Sequence, residues 1–355
     1  MAINIMNIGA SGSGKTCFMT AMAHQMLSGV SAEVDRFQFI ATDTAQSYRL
    51  IDYWEMLEDG IEWPKNTDET EIYHFKCLKN MSTLADFDWC DYRGKLSTYY
   101  EDTEDYRTFR NLLKSASCLN ILIPADWIIA LEGTDEVAKK KARRLLERYK
   151  SLLMDLLSDR NTIQPIIFTI TKSDFLPQFT GSHERRENAK AFLERWFDFC
   201  FKPSEKKWVV AISYISIGKV NKNNELEELI PRNMHLPAMF AILSSLHDGL
   251  CKQANKKSDI EYSISSCTRE LEDEERIQDA RASVGFWKGL FEPAADYTEY
   301  NRLVHRRANL RTECSRTQEE IMKIKTQIEG ISGILSGTEI EIIYINGEPH
   351  KFIQI

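Results

Sequence analysis

Short apolar runs alternate with longer segments of helical periodicity over the first 250 residues of the chain. The apolar runs are bounded by turn residues and have the length of buried strands. In the segments between them, apolar residues recur every three or four positions, as in amphipathic helices. The predicted strands are Ile3–Ile8, Phe37–Ala41, Ile72–Leu78, Phe87–Asp91, Leu119–Pro124, Pro165–Ile170 and Trp208–Ile212. The predicted helices between them are Ala45–Asp59, Tyr99–Ser115, Thr134–Ser158 and His183–Phe199.

This alternation predicts the fold class. Strands that alternate with helices indicate βαβ units, so we expect an α/β fold with a mainly parallel central sheet. The longest apolar run, Cys118–Leu131, contains Pro124 and Asp126 and is too short to span a bilayer. We interpret it as a central strand followed by an irregular edge segment.

The pattern changes after residue 250. Lys252–Ser258 is polar and predicts a hinge, and residues 259–335 are rich in Glu, Arg, Gln and Lys. Apolar residues between Ile321 and Leu335 step by three and four, which is a short heptad seam. The proline-containing segment Glu292–Asp296 interrupts the helical pattern, so we expect two antiparallel helices. The heptads allow pairing within one chain or self-association between two chains.

The C-terminal segment EIEIIYINGEPHKFIQI predicts a β-hairpin. Two alternating runs flank Asn346-Gly347, a dipeptide typical of two-residue hairpin turns. An isolated hairpin is marginal in water, so this one is expected to dock on the main sheet or on a partner. The predicted division of the chain is an α/β region over residues 1–250, a helical region over 251–337 and a hairpin over 338–355.

The stretch GASGSGKT, Gly9–Thr16, lies between the first predicted strand and a helical segment and fits G-x-x-x-x-G-K-[ST]. Its glycines allow successive backbone N–H groups to converge on an anion at a helix N-terminus, although a flexible Gly/Ser turn is the alternative. We expect Lys15 to contact the β- and γ-phosphates of a nucleotide and Thr16 to bind Mg²⁺. The fold prediction therefore becomes a three-layer P-loop NTPase. The predicted contact residues are Gly9, Ser11, Gly12, Ser13, Gly14, Lys15, Thr16 and Cys17.

A second motif follows the fourth predicted strand. Asp91 and Gly94 fit D-x-x-G. An aspartate at this place can hold Mg²⁺ through water, and the glycine N–H can contact the γ-phosphate. Because the pattern is common, an ordinary turn is the alternative for this motif taken by itself.

The third motif is TKSD, Thr171–Asp174, directly after an apolar strand. The Asp174 carboxylate can accept hydrogen bonds from N1–H and the 2-amino group of guanine, a pair of donors that adenine lacks. Lys172 can lay its aliphatic stem along the face of the base. By itself TKSD could also cap a helix or turn. Three motifs in this order, each at a strand end, favour a guanine nucleotide.

With these motifs the chain resembles GTPases of the translation-factor-related class. GASGSGKT is similar to their phosphate loop, DYRG to their second switch, and TKSD to their guanine motif Asn-Lys-x-Asp. ISYISIGKV resembles their last guanine-contacting loop, which implies contacts from Ser216 and Ile217. WPKNTDETEIYHFKC, DYRGK and IPRNMHLPAMFAIL resemble prokaryotic double-GTPase domains, which are often found in conflict or defence gene clusters. A role in bacterial defence is implied by that resemblance alone.

The resemblance also implies hydrolysis of GTP to GDP and phosphate with Mg²⁺. Thr67 would be the first-switch residue that ligates Mg²⁺, with Thr70 as the alternative. Small GTPases often place a glutamine after D-x-x-G, but Lys95 stands there, so we expect slow turnover without a partner. Arg93 is either an internal arginine finger or a solvated switch residue.

Composition narrows the possible partners. The net charge of −8 argues against general nucleic-acid binding. The 8 cysteines form no zinc or disulfide pattern and suit a reducing cytoplasm. We expect neither a signal peptide nor membrane binding. The predicted partners are a guanine nucleotide and a protein that contacts the switches or the helical tail. The alternatives are a P-loop ATPase and a nucleotide-bound scaffold that does not hydrolyse.

Overall fold

The computed structural model describes residues 3–32, 35–60, 63, 70–91, 103–158, 164–176, 182–202, 208–220, 226–284 and 298–352. The strands are β1 (Ile3–Ile8), β2 (Val30–Ala32), β3 (Asp35–Ala41), β4 (Glu71–Lys79), β5 (Ser82–Asp91), β6 (Cys118–Pro124), β7 (Gln164–Thr171), β8 (Trp208–Tyr214), β9 (Lys219–Val220), β10 (Leu226–Glu228), β11 (Ile342–Ile345) and β12 (Glu348–Lys351). The helices are α1 (Lys15–Ser28), α2 (Thr44–Glu58), α3 (Glu104–Ser115), α4 (Ala125–Glu132), α5 (Glu136–Ser158), α6 (Ser182–Trp196), α7 (Asp198–Phe201), α8 (Leu236–Val284) and α9 (Thr298–Leu335).

The central sheet has the strand order β12-β11-β8-β7-β6-β1-β5-β4-β3-β2. The five middle strands, from β8 to β5, are parallel. The α/β fold with a parallel centre is therefore confirmed, and every predicted strand is present. The flanking strands are antiparallel, which the sequence reading did not predict. Strand β5 begins earlier than predicted because its pairing with β4 continues back to the tight turn at Asn80 and Met81.

Helices cover both faces of the sheet. On one face Phe109 of α3, Tyr149 of α5 and Phe192 of α6 belong to one buried cluster with the middle strands. On the other face Phe18 of α1 packs against Trp89 of β5 with ring centroids 5.3 Å apart. Each such buried side chain contributes about 1.5–3 kcal/mol. The sheet thus packs between two helical layers.

The apolar run at Cys118–Leu131 differs from its prediction. After β6 the chain forms helix α4 and not an irregular edge segment. Pro124 is the residue that precedes this helix, with φ −64°. A proline at a helix start loses no helical hydrogen bond and its φ is already close to that of a helix. The proline therefore precedes a helix where an irregular edge segment had been predicted.

The charged C-terminal region forms two long helices. The predicted hinge at Lys252–Ser258 is wrong. That segment lies inside the uninterrupted helix α8, where Lys252 pairs with Asp248 and Lys257 with Glu261 one turn away. Such pairs stabilise an exposed helix, so a polar stretch does not by itself mark a hinge. The interruption predicted at Glu292–Asp296 lies outside the described residues.

Helices α8 and α9 are antiparallel neighbours, as predicted. Lys256 pairs with Glu313 at 3.0 Å, and Arg306 with Glu270 at 3.8 Å. The order of these pairs along the two helices is that of an antiparallel hairpin. A small apolar core lies between the helices and consists of Cys267, Leu271 and Leu303, flanked by Tyr300 and Val304.

Two compact units can be distinguished: Met1–Ser245 with Gly330–Ile355, and Leu246–Glu329. The C-terminal hairpin belongs to the first unit because β11 pairs antiparallel with β8. Asn346 and Gly347 form its turn, with φ of 49° and 84°. The predicted hairpin therefore exists and docks on the edge of the main sheet.

Candidate functional site

The phosphate loop connects the end of β1 to the first residue of α1. Gly12 and Gly14 have φ of 79° and 88°, a region that L side chains rarely adopt. A Cβ on Gly9 would lie 2.3 Å from the Ser13 hydroxyl oxygen, so a larger residue there would require the Ser13 side chain to move. The backbone path of the loop therefore favours glycine most strongly at Gly12 and Gly14.

Lys15 points back across the loop that it follows. Its Nζ donates to the carbonyl oxygens of Gly9 at 2.9 Å and Ala10 at 3.2 Å. Burial lowers the pKa of Lys15, and the nearby Asp91 carboxylate opposes that shift. A phosphate that enters the loop can offer this buried ammonium group a charge-assisted hydrogen bond, which is stronger than a bond to a neutral carbonyl.

Thr16 and Asp91 meet beside the loop. The Thr16 hydroxyl donates to Asp91 Oδ2 at 3.3 Å, and Asp91 is 1% exposed at the end of β5. A hydroxyl and a carboxylate side by side are oxygen ligands of the type that Mg²⁺ prefers, so this pair fits the metal predicted here. Across the described ranges, no group of three or more His, Cys, Asp or Glu residues could hold a metal ion.

Cys17 follows Thr16 and is partly buried. Burial raises the pKa of its thiol to about 11, and Lys172 opposes this. The thiol is therefore neutral at physiological pH.

A tyrosine on α5 supports the loop from the protein interior. The Ala10 N–H donates to the Tyr149 hydroxyl, and the Tyr149 side chain is fully buried. Its ring lies 5.7 Å from that of Trp127 on α4. Sequence reasoning placed Tyr149 on the apolar stripe of its helix and missed this role. The signal that could have indicated this role is the tyrosine hydroxyl, a polar group on an otherwise apolar stripe that needs a hydrogen-bond partner when it is buried.

The first residue of TKSD joins the two nucleotide motifs. The Thr171 hydroxyl donates to the backbone carbonyl of Ser13 at 2.9 Å. Lys172, with φ 55°, directs its Nζ to the Asp126 carboxylate at 3.3 Å. These contacts hold the third motif beside the phosphate loop, so a single ligand can touch both.

The carboxylate of TKSD faces the loop after β8. The Ser216 hydroxyl donates to Asp174 Oδ1 at 2.8 Å, and the Gly218 N–H donates to the Ser216 oxygen at 3.2 Å. Ile217 lies between them and is partly buried. Asp174 and Ser216 are thus in direct contact.

A cavity of about 390 Å³ adjoins this pair. Asp174 and Ser216 form part of its wall, and polar and charged side chains form most of the rest. Its lining residues include Ser173, Leu176, Arg185, Tyr214, Lys219, Glu228, Arg232 and Asn233.

Most of the residues predicted to form the two switches lie outside the described residues. Thr67, Arg93 and Gly94 lie outside the described residues, as does Lys95. Thr70, the alternative to Thr67, is exposed directly before β4. The described site therefore consists of the phosphate loop, Asp91, the TKSD residues and the loop at Ser216.

Comparison with known proteins identifies the family of this site. The family model described as Double-GTPase 2 matches residues 4–233, which include all of these motifs. No curated protein matches the chain. Within the part of the chain that the structure describes, no helix is long and apolar enough to cross a membrane.

Several solved structures share limited similarity with the chain. The signal recognition particle receptor SRβ-GTP/SRX complex of Chaetomium thermophilum is 14% identical, over 62% of this chain and 94% of that one, with a TM-score of 0.34. The G domain of the T. maritima FeoB iron transporter is 10% identical, over 69% and 99%, with a TM-score of 0.30. A small COPII coat GTPase SAR1 of Encephalitozoon cuniculi in complex with GDP is 12% identical, over 61% and 70%, with a TM-score of 0.31.

Proposed function

The chain belongs to the Double-GTPase 2 family, and we propose that it binds GTP with Mg²⁺, hydrolyses it to GDP and phosphate, and acts as a nucleotide-controlled switch. The observation that supports guanine selection is the hydrogen bond between Ser216 and Asp174 at 2.8 Å. It fixes a carboxylate on the same sheet edge as Lys15. Thr171 links the two motifs through Ser13.

Each residue of the site has a role in this proposal. Lys15 and the backbone N–H groups from Gly12 to Cys17 bind the phosphates. Thr16 and Thr67 would hold Mg²⁺ directly and Asp91 through water, and the metal when bound neutralises phosphate charge. The Gly94 N–H contacts the γ-phosphate. Asp174 and Lys172 select guanine, with Ser216 and Ile217 completing the base site.

Hydrolysis is proposed to be slow in the isolated protein. Water attacks the γ-phosphorus while the bond to the bridging oxygen of GDP breaks, and phosphate leaves with the water oxygen. A lysine cannot accept a hydrogen bond from this water as a glutamine does, and Lys95 follows Gly94 directly. Arg93 or a partner protein would then supply the missing stabilisation. Phosphate release with and without added chelator measures both turnover and metal dependence.

The helical pair α8–α9 is proposed as the part of the switch that a protein partner or a second copy of the chain recognises. Helix α8 begins and helix α9 ends within residues of the first compact unit, and many side chains of the pair are exposed and charged. We propose a cytoplasmic location, where GTP is available, and a bacterial defence system as the setting. Light scattering with GDP and with a non-hydrolysable GTP analogue tests whether self-association depends on the nucleotide.

Titration calorimetry of GDP and ADP with Mg²⁺ tests the base preference. Wild type is expected to prefer GDP, and Asp174→Asn is expected to weaken GDP binding by at least about tenfold, since the carboxylate accepts from the base. Asp198→Asn is the matched control, because Asp198 pairs with Lys150 and Lys202 away from the site. Equal binding of ADP and GDP, unchanged in Asp174→Asn, would instead indicate an ATPase. Tight GDP binding without turnover would indicate a scaffold.

A further inference from the structure

We propose that Arg185 and Glu339 are a positioning pair that sets the guanine selectivity of the site. Glu339 lies in the C-terminal segment, beyond the residues matched by the family model, and Arg185 lies on α6. In this proposal the C-terminal segment helps to set the geometry of the base site through Glu339. The inference rests on the proposed function, because it takes Asp174 as the acceptor for the guanine 2-amino group.

The tripeptide Tyr214–Ser216 is the element that the pair acts on. Its last residue, Ser216, donates to Asp174 at 2.8 Å. The middle residue is tied on both sides, since the Ile215 N–H donates to Ile170 O at 2.9 Å and its carbonyl accepts from the Ser173 N–H at 3.1 Å. A displacement of this tripeptide therefore displaces the carboxylate that is proposed to read the base.

Arg185 on α6 contacts Tyr214, the first residue of the tripeptide. Its guanidinium group lies over the Tyr214 ring at 5.3 Å, and the Tyr214 hydroxyl donates to the Arg185 carbonyl at 2.7 Å. Arg185 Nη1 also binds Glu339 Oε1 at 3.3 Å. The Glu339 side chain is 10% exposed, so this ion pair is shielded from water more than a surface pair is. The two contacts fix the guanidinium plane on the tyrosine ring.

Glu339 is itself held firmly against β8. It begins a 3₁₀ helix, Glu339–Glu341, that leads directly into β11, and β11 pairs with β8 through Tyr344 and Val210. The Tyr344 ring packs against Phe201 with centroids 5.8 Å apart. The carboxylate thus reaches Arg185 from a backbone that is part of the same sheet as Tyr214. The Arg185–Glu339 ion pair, called the brace below, therefore links the C-terminal segment to Tyr214.

The tripeptide is also bound by the segment that leads into α8. The Arg232 N–H donates to Ser216 O at 2.7 Å, and Asn233 Nδ2 donates to Tyr214 O at 3.1 Å. Helix α8 begins three residues after Asn233. The segment before α8 therefore binds the tripeptide directly, and the segment after α9 is linked to it through Arg185. A partner that displaces either segment would change the base site.

Comparison of GDP with IDP tests this inference, because the hypoxanthine base of IDP lacks only the 2-amino group. In Glu339→Gln the charge is lost while the side-chain volume is kept. The GDP-to-IDP affinity ratio is expected to fall by roughly two- to fivefold, the size of a partly shielded ion pair. Arg185→Gln is expected to lower the ratio similarly. The double variant should fall no further than the larger single effect, since both substitutions break the same pair.

Glu341→Gln is the matched control. It removes a carboxylate from the same 3₁₀ helix, where Glu341 accepts from the Gly337 N–H and has no contact with Arg185 among those described. Its ratio should equal that of wild type. An unchanged ratio in both Glu339→Gln and Arg185→Gln, or an equal fall in the affinities for GDP and IDP, would overturn the inference. Thermal denaturation shows that each variant is folded. Absence of GDP binding by wild type would refute the proposed function as well, whereas wild-type binding with unchanged ratios refutes the brace alone.

Discussion

The Thr171 hydroxyl donates to the Ser13 carbonyl at 2.9 Å and so connects the TKSD motif to the phosphate loop. Both residues are buried. The bond explains how threonine can occupy the first position of a motif that resembles Asn-Lys-x-Asp: its side chain supplies a donor to the loop. The two halves of the nucleotide site are therefore held in register by a side chain that does not itself need to contact the ligand.

Replacing Thr171 by valine is expected to weaken GDP binding. The substitution keeps the shape of the side chain and removes the donor, which is worth about 0.5–1.5 kcal/mol, or roughly a two- to tenfold loss of affinity. Thr169→Val, two residues earlier on β7, is the control, since Thr169 donates to Asn120 inside the sheet. We expect that variant to lose stability and to keep its GDP affinity in calorimetry. Equal affinity losses in both variants would contradict the role given to Thr171.

Tyr149→Phe is expected to destabilise the protein. The change leaves the ring in place and deprives the Ala10 N–H of its acceptor in a buried loop, which costs about 1–3 kcal/mol. Urea denaturation measures the free energy of unfolding. Tyr300→Phe provides a control, because the Tyr300 hydroxyl donates to Glu275 on the exposed surface of the helical pair. Its effect should stay within about 0.5 kcal/mol; a similar loss in both variants would refute the buried support.

Gly347→Ala is expected to loosen the C-terminal hairpin more than Gly337→Ala. Both glycines have positive φ, 84° and 76°, so both substitutions incur backbone strain of about 1 kcal/mol. A Cβ on Gly347 would also lie 1.8 Å from the Phe201 carbonyl oxygen, whereas one on Gly337 would meet nothing within 4 Å. The difference between the two variants in denaturant midpoint therefore measures how tightly the hairpin packs on the sheet. Identical midpoints would contradict the docking described here.

Stability is expected to depend on pH through His235, which directly precedes α8. Burial lowers the pKa of His235 to about 4 from an ordinary value of 6.5. Between these values the unfolded chain binds a proton that the folded protein does not. The stability present above pH 6.5 is therefore lost as the pH falls towards 4, by at most about 3 kcal/mol.

Denaturation of His235→Gln between pH 4 and 7 measures this contribution. The variant cannot titrate at that position, so its stability should fall less steeply with acid than that of wild type. His350→Gln is the control, since that side chain is exposed on β12. It should keep the wild-type slope. Parallel curves for wild type and His235→Gln would show that other groups cause the acid sensitivity.

Local patterns determined much of the molecule. Short apolar runs between turn residues were enough to predict the strands, and the spacing of the glycines was enough to predict the Gly9–Thr16 loop. The hairpin was predicted from the dipeptide Asn346-Gly347, because these residue types readily adopt the φ > 0 of a two-residue turn. Both residues have positive φ in the structure. These features depend on interactions between residues near each other in sequence, which is why the sequence alone is enough to predict them. Even so, the hinge at Lys252–Ser258 and the irregular segment after β6 were wrong predictions, because a polar stretch suits an exposed helix as well as a hinge and a proline can precede a helix as well as an irregular segment.

Tertiary structure decided which distant residues meet. The antiparallel flanks of the sheet, the support of Ala10 by Tyr149, and the contact of Arg185 with Glu339 join positions separated by many residues. Nothing in the local sequence distinguishes Glu339 from Glu341, yet the Glu339 carboxylate contacts Arg185 and the Glu341 carboxylate contacts Gly337 and Lys351. The sequence by itself determined that the chain has a nucleotide loop on an α/β sheet. Which side chains brace that loop was set only by the packing of complete elements, because hydrogen bonds and ion pairs depend on positions in space and not on spacing along the chain.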